Sequence, residues 1–435
     1  MSGIARILLQ RGHRVSGSDL QEGRALDELR AMGAEVRIGH DAAAVEGAEA
    51  VVISTAVSRD NPEIVAAERA GTPVLRRAEM LAALMEGSRA VLIAGTHGKT
   101  TTTSMAVVAL QAAGADPSFA IGGSLNESGT NAHAGADDVF VSEADESDRS
   151  FLAYRPDLAV VTNLELDHPD EFTSDEDVAG AFVDFLRRRT PGAPAIVCLD
   201  DPGSAALTAG TDGVITYGTD PRSDVRLLVD DDGAARLRAD GEDLVSFRLG
   251  VPGHHNLLNA TAALTVARWV GVDLELAATG LTAFTGALRR YQRLGGAGGV
   301  AVIDDYAHHP TELRTTLAAA RSEAEGRVVL VVQPHRYSRT KVFGAELGRA
   351  AAAADVVVVT EIYASSEEPV PGVSGRLVAD AAEQAGAKVV WEPHLGSVPA
   401  ELARIVQPGD LVLVTGAGDV TQVGPALLEL LRTER

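Results

Sequence analysis

The sequence predicts an α/β protein built on parallel sheets covered by helices on both faces. Three observations predict it. Short apolar runs rich in Val, Ile and Ala recur along the chain, they are continuous rather than alternating, and stretches rich in Ala, Leu, Glu and Arg with helical spacing separate them. The runs fall at residues 51–54, 90–94, 139–142, 158–162, 195–199, 300–303, 328–332, 355–360, 388–391 and 411–414.

Taken in order, residues 4–10 read as a helix and 14–17 as a strand. A doubly wound domain opens on a strand and a glycine-rich turn. Here Met1-Ser2-Gly3 lead straight into the helix, so the first strand and most of its loop are expected to be missing. The first run of α/β units ends near Gly87, ahead of the strand at 90–94. Residues 214–249 read differently, as short alternating strands broken by Asp232-Gly233 and Asp240-Gly241, both hairpin signals; a small antiparallel patch is expected there. A helix-like stretch ends near Arg289, before a glycine-rich turn containing Gly295, Gly296, Gly298 and Gly299. Three domains follow, at 1–88, 89–288 and 289–435, without internal repeats or low-complexity tracts.

A chain of 435 residues, 46% hydrophobic and 23% charged, can bury several cores. Its 61 acidic and 38 basic residues give a net charge of −23, which argues against a general nucleic-acid or anionic-membrane surface. A small anionic substrate can still sit in a local basic pocket. The single cysteine, Cys198, excludes an intramolecular disulfide and cysteine-based metal clusters, and favours a reducing compartment. No segment approaches 18 uninterrupted apolar residues and no signal-peptide core is present, so a cytoplasmic location is expected. Lysine is scarce: only Lys99, Lys341 and Lys388 occur.

The scarcity gives weight to one motif. The strand at 90–94 runs into Gly95-Thr96-His97-Gly98-Lys99-Thr100-Thr101 and then a helical pattern. In a strand–glycine loop–helix unit, backbone N–H groups cradle phosphate, the lysine adds a mobile charge towards the β and γ phosphates, and the Thr100 hydroxyl can ligate Mg²⁺. The motif departs from the full G-x-x-x-x-G-K-[ST] pattern, because Ile93 stands further upstream and the first glycine is Gly95. Two acidic segments end the next strands: Glu143-Ala-Asp145-Glu146-Ser-Asp148, and Asn163-Leu-Glu165-Leu-Asp167-His168. In a parallel sheet both would lie at the same end as the glycine loop, where carboxylates can hold a metal against phosphate. Singly, each cluster reads as a solvated loop; together with the loop they read as a metal site.

At this point the residues resemble the ATP-dependent Mur ligases. The motifs that carry the resemblance span nearly the whole chain: Gly95–Thr100, Glu143–Asp148, Asn163–His168, Gly253-His-His-Asn256 with Asn259, Arg289-Arg-Tyr-Gln292, Asp304-Asp-Tyr-Ala-His-His-Pro310, Pro334-His-Arg-Tyr-Ser-Arg-Thr340 and Gly416-Ala-Gly-Asp419. The resemblance implies a Rossmann-like N-terminal domain for a UDP sugar, a central P-loop ATPase domain and a Rossmann-like C-terminal domain. It implies ATP and Mg²⁺ as cofactors and a carboxylate activated as an acyl phosphate. It narrows to the alanine-adding branch, with UDP-N-acetylmuramate and L-alanine as substrates and a monomer or weak homodimer as the working form. Sister enzymes commonly use a carbamylated lysine in the central domain; no lysine stands between Lys99 and Lys341 here.

By motif position, the nucleotide would meet Gly95, Thr96, His97, Gly98, Lys99, Thr100 and Thr101, together with Asn256, Asn259, Asp305 and Tyr306. Thr100 and Glu143 would hold one Mg²⁺ and His168 a second. Lys99, Arg290, His308, Arg336 and Arg339 would be catalytic. His335, Arg336 and Arg339 would face the substrate carboxylates, for which a planar guanidinium fork is suited. Ser54 and Thr55 would lie near the UDP moiety. Read without the resemblance, the Asn pair are helix caps, the arginines surface residues and His308-His309 a capped turn before Pro310. Two alternatives stand beside the alanine-adding ligase. A murein tripeptide-recycling ligase would not be expected to carry the 334–340 motif, and a nucleotide-binding regulator without ligation would explain the absent first loop but not the surviving metal and Arg positions.

Overall fold

The computed structural model describes residues 1–54, 56–126 and 129–433. The chain packs as two compact units: Met1–Leu164 with Ala179–Arg248 and Asn259–Ala283, and Glu165–Val178 with Leu249–Leu258 and Phe284–Arg435. Among the described residues no helix is long and apolar enough to cross a membrane.

In the first unit, a helix Ser2–Gln10 precedes two strand–helix–strand segments: β1 (Ser16–Asp19) to β2 (Glu35–Ile38), and β3 (Val51–Ile53) to β4 (Val74–Arg76). Each pair is parallel, as a Rossmann-like reading requires, but the two pairs form separate two-stranded sheets. The large sheet follows with β5 (Arg89–Ala94), β6 (Ser118–Ala120), β7 (Ala132–His133), β8 (Val139–Glu143), β9 (Leu158–Val161), β10 (Ala195–Cys198), β11 (Val214–Gly218), β12 (Val225–Val229), β13 (Ala235–Ala239) and β14 (Glu242–Phe247). Its order is β14-β13-β12-β11-β10-β9-β5-β8-β6-β7. β5 lies between β8 and β9, and all three are parallel. Ile93 pairs with Glu143 and Ala94 with Val161, so this register brings the Gly95 loop, Glu143 and Thr162 to one edge.

The patch at 214–249 is antiparallel only from β12 onward; β10, β11 and β12 continue the parallel sheet. The turns fall where the Asp-Gly pairs stand. Asp240 and Gly241 both have positive φ (54° and 84°), the conformation a tight hairpin requires.

The second unit contains β15 (Gln292–Ala297), β16 (Val300–Asp305), β17 (Val328–Val332), β18 (Val356–Val359), β19 (Val389–Trp391) and β20 (Leu411–Thr415), ordered β15-β16-β20-β17-β18-β19. All are parallel except β15, which pairs antiparallel with β16. From sequence, Gly295, Gly296, Gly298 and Gly299 are expected in a turn. Gly295, Gly296 and Ala297 instead pair in an edge strand, and the turn is confined to Gly298-Gly299 (φ 63° and 78°). Alternate β17 residues serve two cores: Val328, Leu330 and Val332 pack with Leu313, Leu347 and Val378, while Val329 and Val331 pack with Leu402, Val412 and Leu427. With both faces covered, the polar groups of β16, β20, β17 and β18 emerge at the carboxyl ends of the strands.

Candidate active site

In the first unit, the strand-to-helix turn after β5 has the shape a phosphate cradle requires. Gly95 (φ 142°) and Gly98 (φ 79°) take conformations that L side chains rarely adopt. A Cβ on Gly95 would collide with Thr162 Oγ1, and one on Gly98 would come within 2.8 Å of Asn259 Oδ1. The loop is pinned from β9: His97 N–H donates to Asn163 Oδ1 (2.8 Å), and the His97 carbonyl accepts from Thr162 Oγ1 (2.6 Å) and Asn163 Nδ2 (3.0 Å). The helix Lys99–Ala112 starts at the loop's end, so the N–H groups of its first turn face the loop.

Lys99 Nζ donates to the carbonyls of Gly95 (2.6 Å) and Thr96 (3.2 Å) and to both oxygens of Glu146 (2.9 and 2.8 Å). Glu146 is 2% exposed. Burial alone would lower the lysine pKa, but the charges of Glu146 and Asp145 outweigh it and hold the ammonium above its ordinary value. Burial pushes Glu146 up, to about 7, against the pull of Lys99. Thr100 Oγ1 donates to Glu143 Oε2 (3.1 Å), whose other oxygen accepts from Gly122 N–H (2.7 Å). A hydroxyl and a carboxylate already converge there, and oxygen donors of this kind fit Mg²⁺.

Of the remaining residues expected in this half, Thr96 and Thr101 flank Lys99 in the turn and first helical turn, and Ser54 follows β3, where its carbonyl accepts from Val57 N–H (3.2 Å). Thr55 lies outside the described residues.

The second unit gathers the other expected residues. Arg339, 5% exposed, donates to Asp167 Oδ1 from Nε (3.0 Å) and Nη2 (2.8 Å), and its Nη1 lies 3.2 Å from His335 Nδ1. Its charge holds Asp167 far below the usual carboxylate range despite burial. Arg339 is therefore no surface arginine. Arg336 Nη1 donates to Asp170 (2.8 Å). His168 has φ 54°, and its Nδ1 lies 3.4 Å from Arg339 Nη2.

Across the strand ends runs a ladder of rings: Tyr306 edge-on to His308 (5.4 Å), His308 edge-on to His335 (5.5 Å) and His335 stacked on Tyr363 (5.9 Å). The guanidinium of Arg290 lies over Tyr306 (4.9 Å) and that of Arg289 near the same ring (5.1 Å). Asp305 accepts from Tyr291 N–H (2.6 Å) and Ala307 N–H (2.7 Å); burial pushes it up to about 6 against the Arg290 charge. His308 is lowered to about 4 by burial and by Arg339. His309 caps the helix Pro310–Glu323 with Glu312 completing a capping box, so the capping role read from the sequence holds for this histidine. Asn256 and Asn259 part company: Asn256 Nδ2 donates to Pro252 O (2.6 Å) in this unit, whereas Asn259 stands beside Gly98 in the first.

Sequence reasoning did not assign Glu146, Thr162, Asn163, Asp167 or Tyr363. Glu146, Asn163 and Asp167 stand inside the motifs at 143–148 and 163–168, so position in the motif is their signal; Thr162 ends the run at 158–162, just ahead of the second motif, and Tyr363 has none.

Two outcomes test this geometry. Lys99→Ala strands Glu146 as a buried, unpaired carboxylate and should cost about 3–5 kcal/mol of stability; Lys99→Met with Glu146→Gln should recover most of the melting temperature, yet bind ATP about 2–3 kcal/mol more weakly by calorimetry. Second, His308 is neutral when folded, so its contribution is complete above pH 6.5 and lost as pH falls towards 4. His308→Gln should flatten the fall in melting temperature over that window.

Comparison with known proteins places the whole chain in one family. Residues 1–89 match the Mur ligase family catalytic domain, 93–267 the Mur ligase middle domain and 289–418 the Mur ligase glutamate ligase domain. The chain is 49% identical to the UDP-N-acetylmuramate–L-alanine ligase of Rhodococcus jostii, over 99% of this chain and 94% of that protein. It is 48% identical to the enzyme of the same name from Mycolicibacterium smegmatis, over 99% and 93%. The crystal structure of UDP-N-acetylmuramate-alanine ligase from Thermotoga maritima superposes with a TM-score of 0.81 at 27% identity, covering 100% of this chain and 97% of that one. A murein peptide ligase from Psychrobacter arcticus, 24% identical, shares the fold with a TM-score of 0.73 over 99% and 96%. With three family domains matched in order and near-half identity along the whole chain, this protein belongs to the Mur ligase family.

Proposed function

We propose that the chain joins L-alanine to the carboxylate of UDP-N-acetylmuramate at the expense of ATP, the first amino-acid addition in peptidoglycan precursor synthesis. One observation of the structure carries the carboxylate chemistry: Arg336 and Arg339, three positions apart at the end of β17, each already grip a carboxylate at 2.8 Å, those of Asp170 and Asp167. A guanidinium pair that holds aspartate side chains in the protein has the geometry to take the carboxylates of substrate.

The reaction brings anions together, so it calls for cations rather than a protein nucleophile. A carboxylate oxygen attacks the γ-phosphorus of ATP and ADP leaves; the alanine amine then attacks the acyl carbon, loses a proton and expels phosphate. Lys99 and the loop N–H groups are assigned to the β and γ phosphates. Thr100, Glu143 and His168 are assigned to Mg²⁺, which when bound neutralises phosphate charge. Arg290, Asp305, Tyr306, Asn256 and Asn259 are assigned to the nucleotide, His308 to the reacting groups, and His335, Arg336 and Arg339 to the carboxylates. In this reading the UDP-sugar, ATP and closing domains would span 1–88, 89–288 and 289–435. Cys198, buried and unpaired, suits a reducing cytoplasm, and a monomer or weak homodimer suffices for this assignment.

Phosphate release measured with UDP-N-acetylmuramate, ATP, Mg²⁺ and single amino acids should be strongest with L-alanine. No release with L-alanine, or equal release with a murein tripeptide, would overturn the proposal.

A further inference from the structure

The ring ladder of the second unit has four members, and three of them, Tyr306, His308 and His335, carry roles in the proposed reaction. The fourth, Tyr363, follows β18 and has none. Its environment is nevertheless built with care. Tyr363 N–H donates to the Pro334 carbonyl (2.9 Å) and its carbonyl accepts from Arg336 N–H (2.9 Å), a one-residue parallel bridge that ties it to His335. Its ring lies 5.9 Å from the His335 imidazole, with planes 13° apart. The root of the ring meets the turn after β20: a Cβ on Gly418 would collide with Tyr363 Cγ and would stand 2.6 Å from Gln333 Oε1. Gly418 has an ordinary negative φ (−92°), so it is the neighbouring ring, and not the backbone conformation, that demands glycine there.

Arg336 shows what this packing holds in place. It has φ 63° and ψ 145°, a combination that costs free energy for any residue with a side chain and persists only where the surroundings over-determine it. Its carbonyl accepts from Thr340 N–H (3.1 Å) and Thr340 Oγ1 (2.7 Å), and its N–H is held by Tyr363. Downstream, Ser365 and Ser366 also have positive φ (48° and 71°). Glu367 then reaches back to Ser338, accepting from its N–H (2.9 Å) and Oγ (2.6 Å) in the first turn of the helix Tyr337–Ala351 that also carries Arg339. The segment 363–367 is thus fastened at both ends to the segment 334–339.

We infer that Tyr363 is a positioning residue for substrate capture: its side chain, packed against Gly418 at its root and stacked on His335, fixes the His335–Arg336 elbow that meets a substrate carboxylate. The inference rests on the proposed ligase reading. Tyr363 is 36% exposed and is tied to His335 and Arg336, so its loss should be felt in binding of a carboxylate substrate and not in use of ATP.

The test is steady-state kinetics of the full chain with each substrate varied in turn, alongside thermal melts. Tyr363→Ala should raise the KM for UDP-N-acetylmuramate or for L-alanine by about tenfold, with kcat within about threefold and the KM for ATP unchanged, because the lost interaction is made equally in ground and transition states. Tyr363→Phe should restore the KM, since the stacking face and not the hydroxyl is the working part. If Tyr363→Ala fails to fold, Tyr363→Leu fills the volume without a ring face and should show the same split. Unchanged KM values for both carboxylate substrates, a loss confined to kcat, or an equal defect in Tyr363→Phe would overturn the inference. Absence of alanine-dependent turnover in the wild-type chain would instead overturn the ligase reading, so the two failures are distinct.

Discussion

A lysine ammonium held against a carboxylate that is almost wholly out of water sets the terms for the phosphate loop. The pair Lys99–Glu146 is costly to bury and costly to break. It is tolerable because the loop carbonyls of Gly95 and Thr96 supply further acceptors, and those carbonyls turn inward only because Gly95 takes a backbone conformation that a side chain would forbid. The same glycine must lack a Cβ for Thr162 to approach. Strand register, glycine placement and the charge pair are therefore one constraint: β5 and β9 must align as they do for Thr162 to pin the loop, and the loop must close as it does for the lysine to be held.

The second unit solves a similar problem with other means. Asp167 and Arg339 are both buried, and their mutual neutralisation lets a guanidinium wait inside the protein in a defined orientation. Two histidines near it stay uncharged. Burial and the Arg339 charge lower His308 to about 4, and burial with the Arg339 and Arg336 charges lowers His335 to about 3, so these two imidazoles add no positive charge to a place already rich in arginine. Their contribution is shape and hydrogen bonding, and the ladder from Tyr306 to Tyr363 carries that order across β16, β17 and β18.

Much of this was legible in the sequence, for reasons that can be named. Continuous apolar runs announced parallel strands, and a strand followed by glycines and the first of three lysines announced the phosphate loop. Asp-Gly pairs marked two hairpins. What stayed hidden depended on partners far away in the chain. Nothing in Glu143–Asp148 says which of its carboxylates turns back to the lysine. Asp167 finds Arg339 across 172 positions, a pairing that only the tertiary fold creates. Gly295 and Gly296 read as part of a turn because glycines obscure an edge strand, which pairs through backbone alone. Tyr363 belongs to no motif, and its significance lies in its packing against His335 and Gly418.

The central claim is that Lys99 stays charged while held by Glu146 and is the group that meets phosphate. A chain with only three lysines makes this directly observable. Protein labelled with ¹³C at the lysine ε position should give three resolved signals, with that of Lys99 identified by its loss in Lys99→Arg. The account predicts that this signal titrates above the ordinary lysine value of 10.5 and shifts when ATP and Mg²⁺ are added, while Lys341 and Lys388 do not respond to nucleotide. A Lys99 signal that titrates below 10.5, or that ignores ATP, would contradict it.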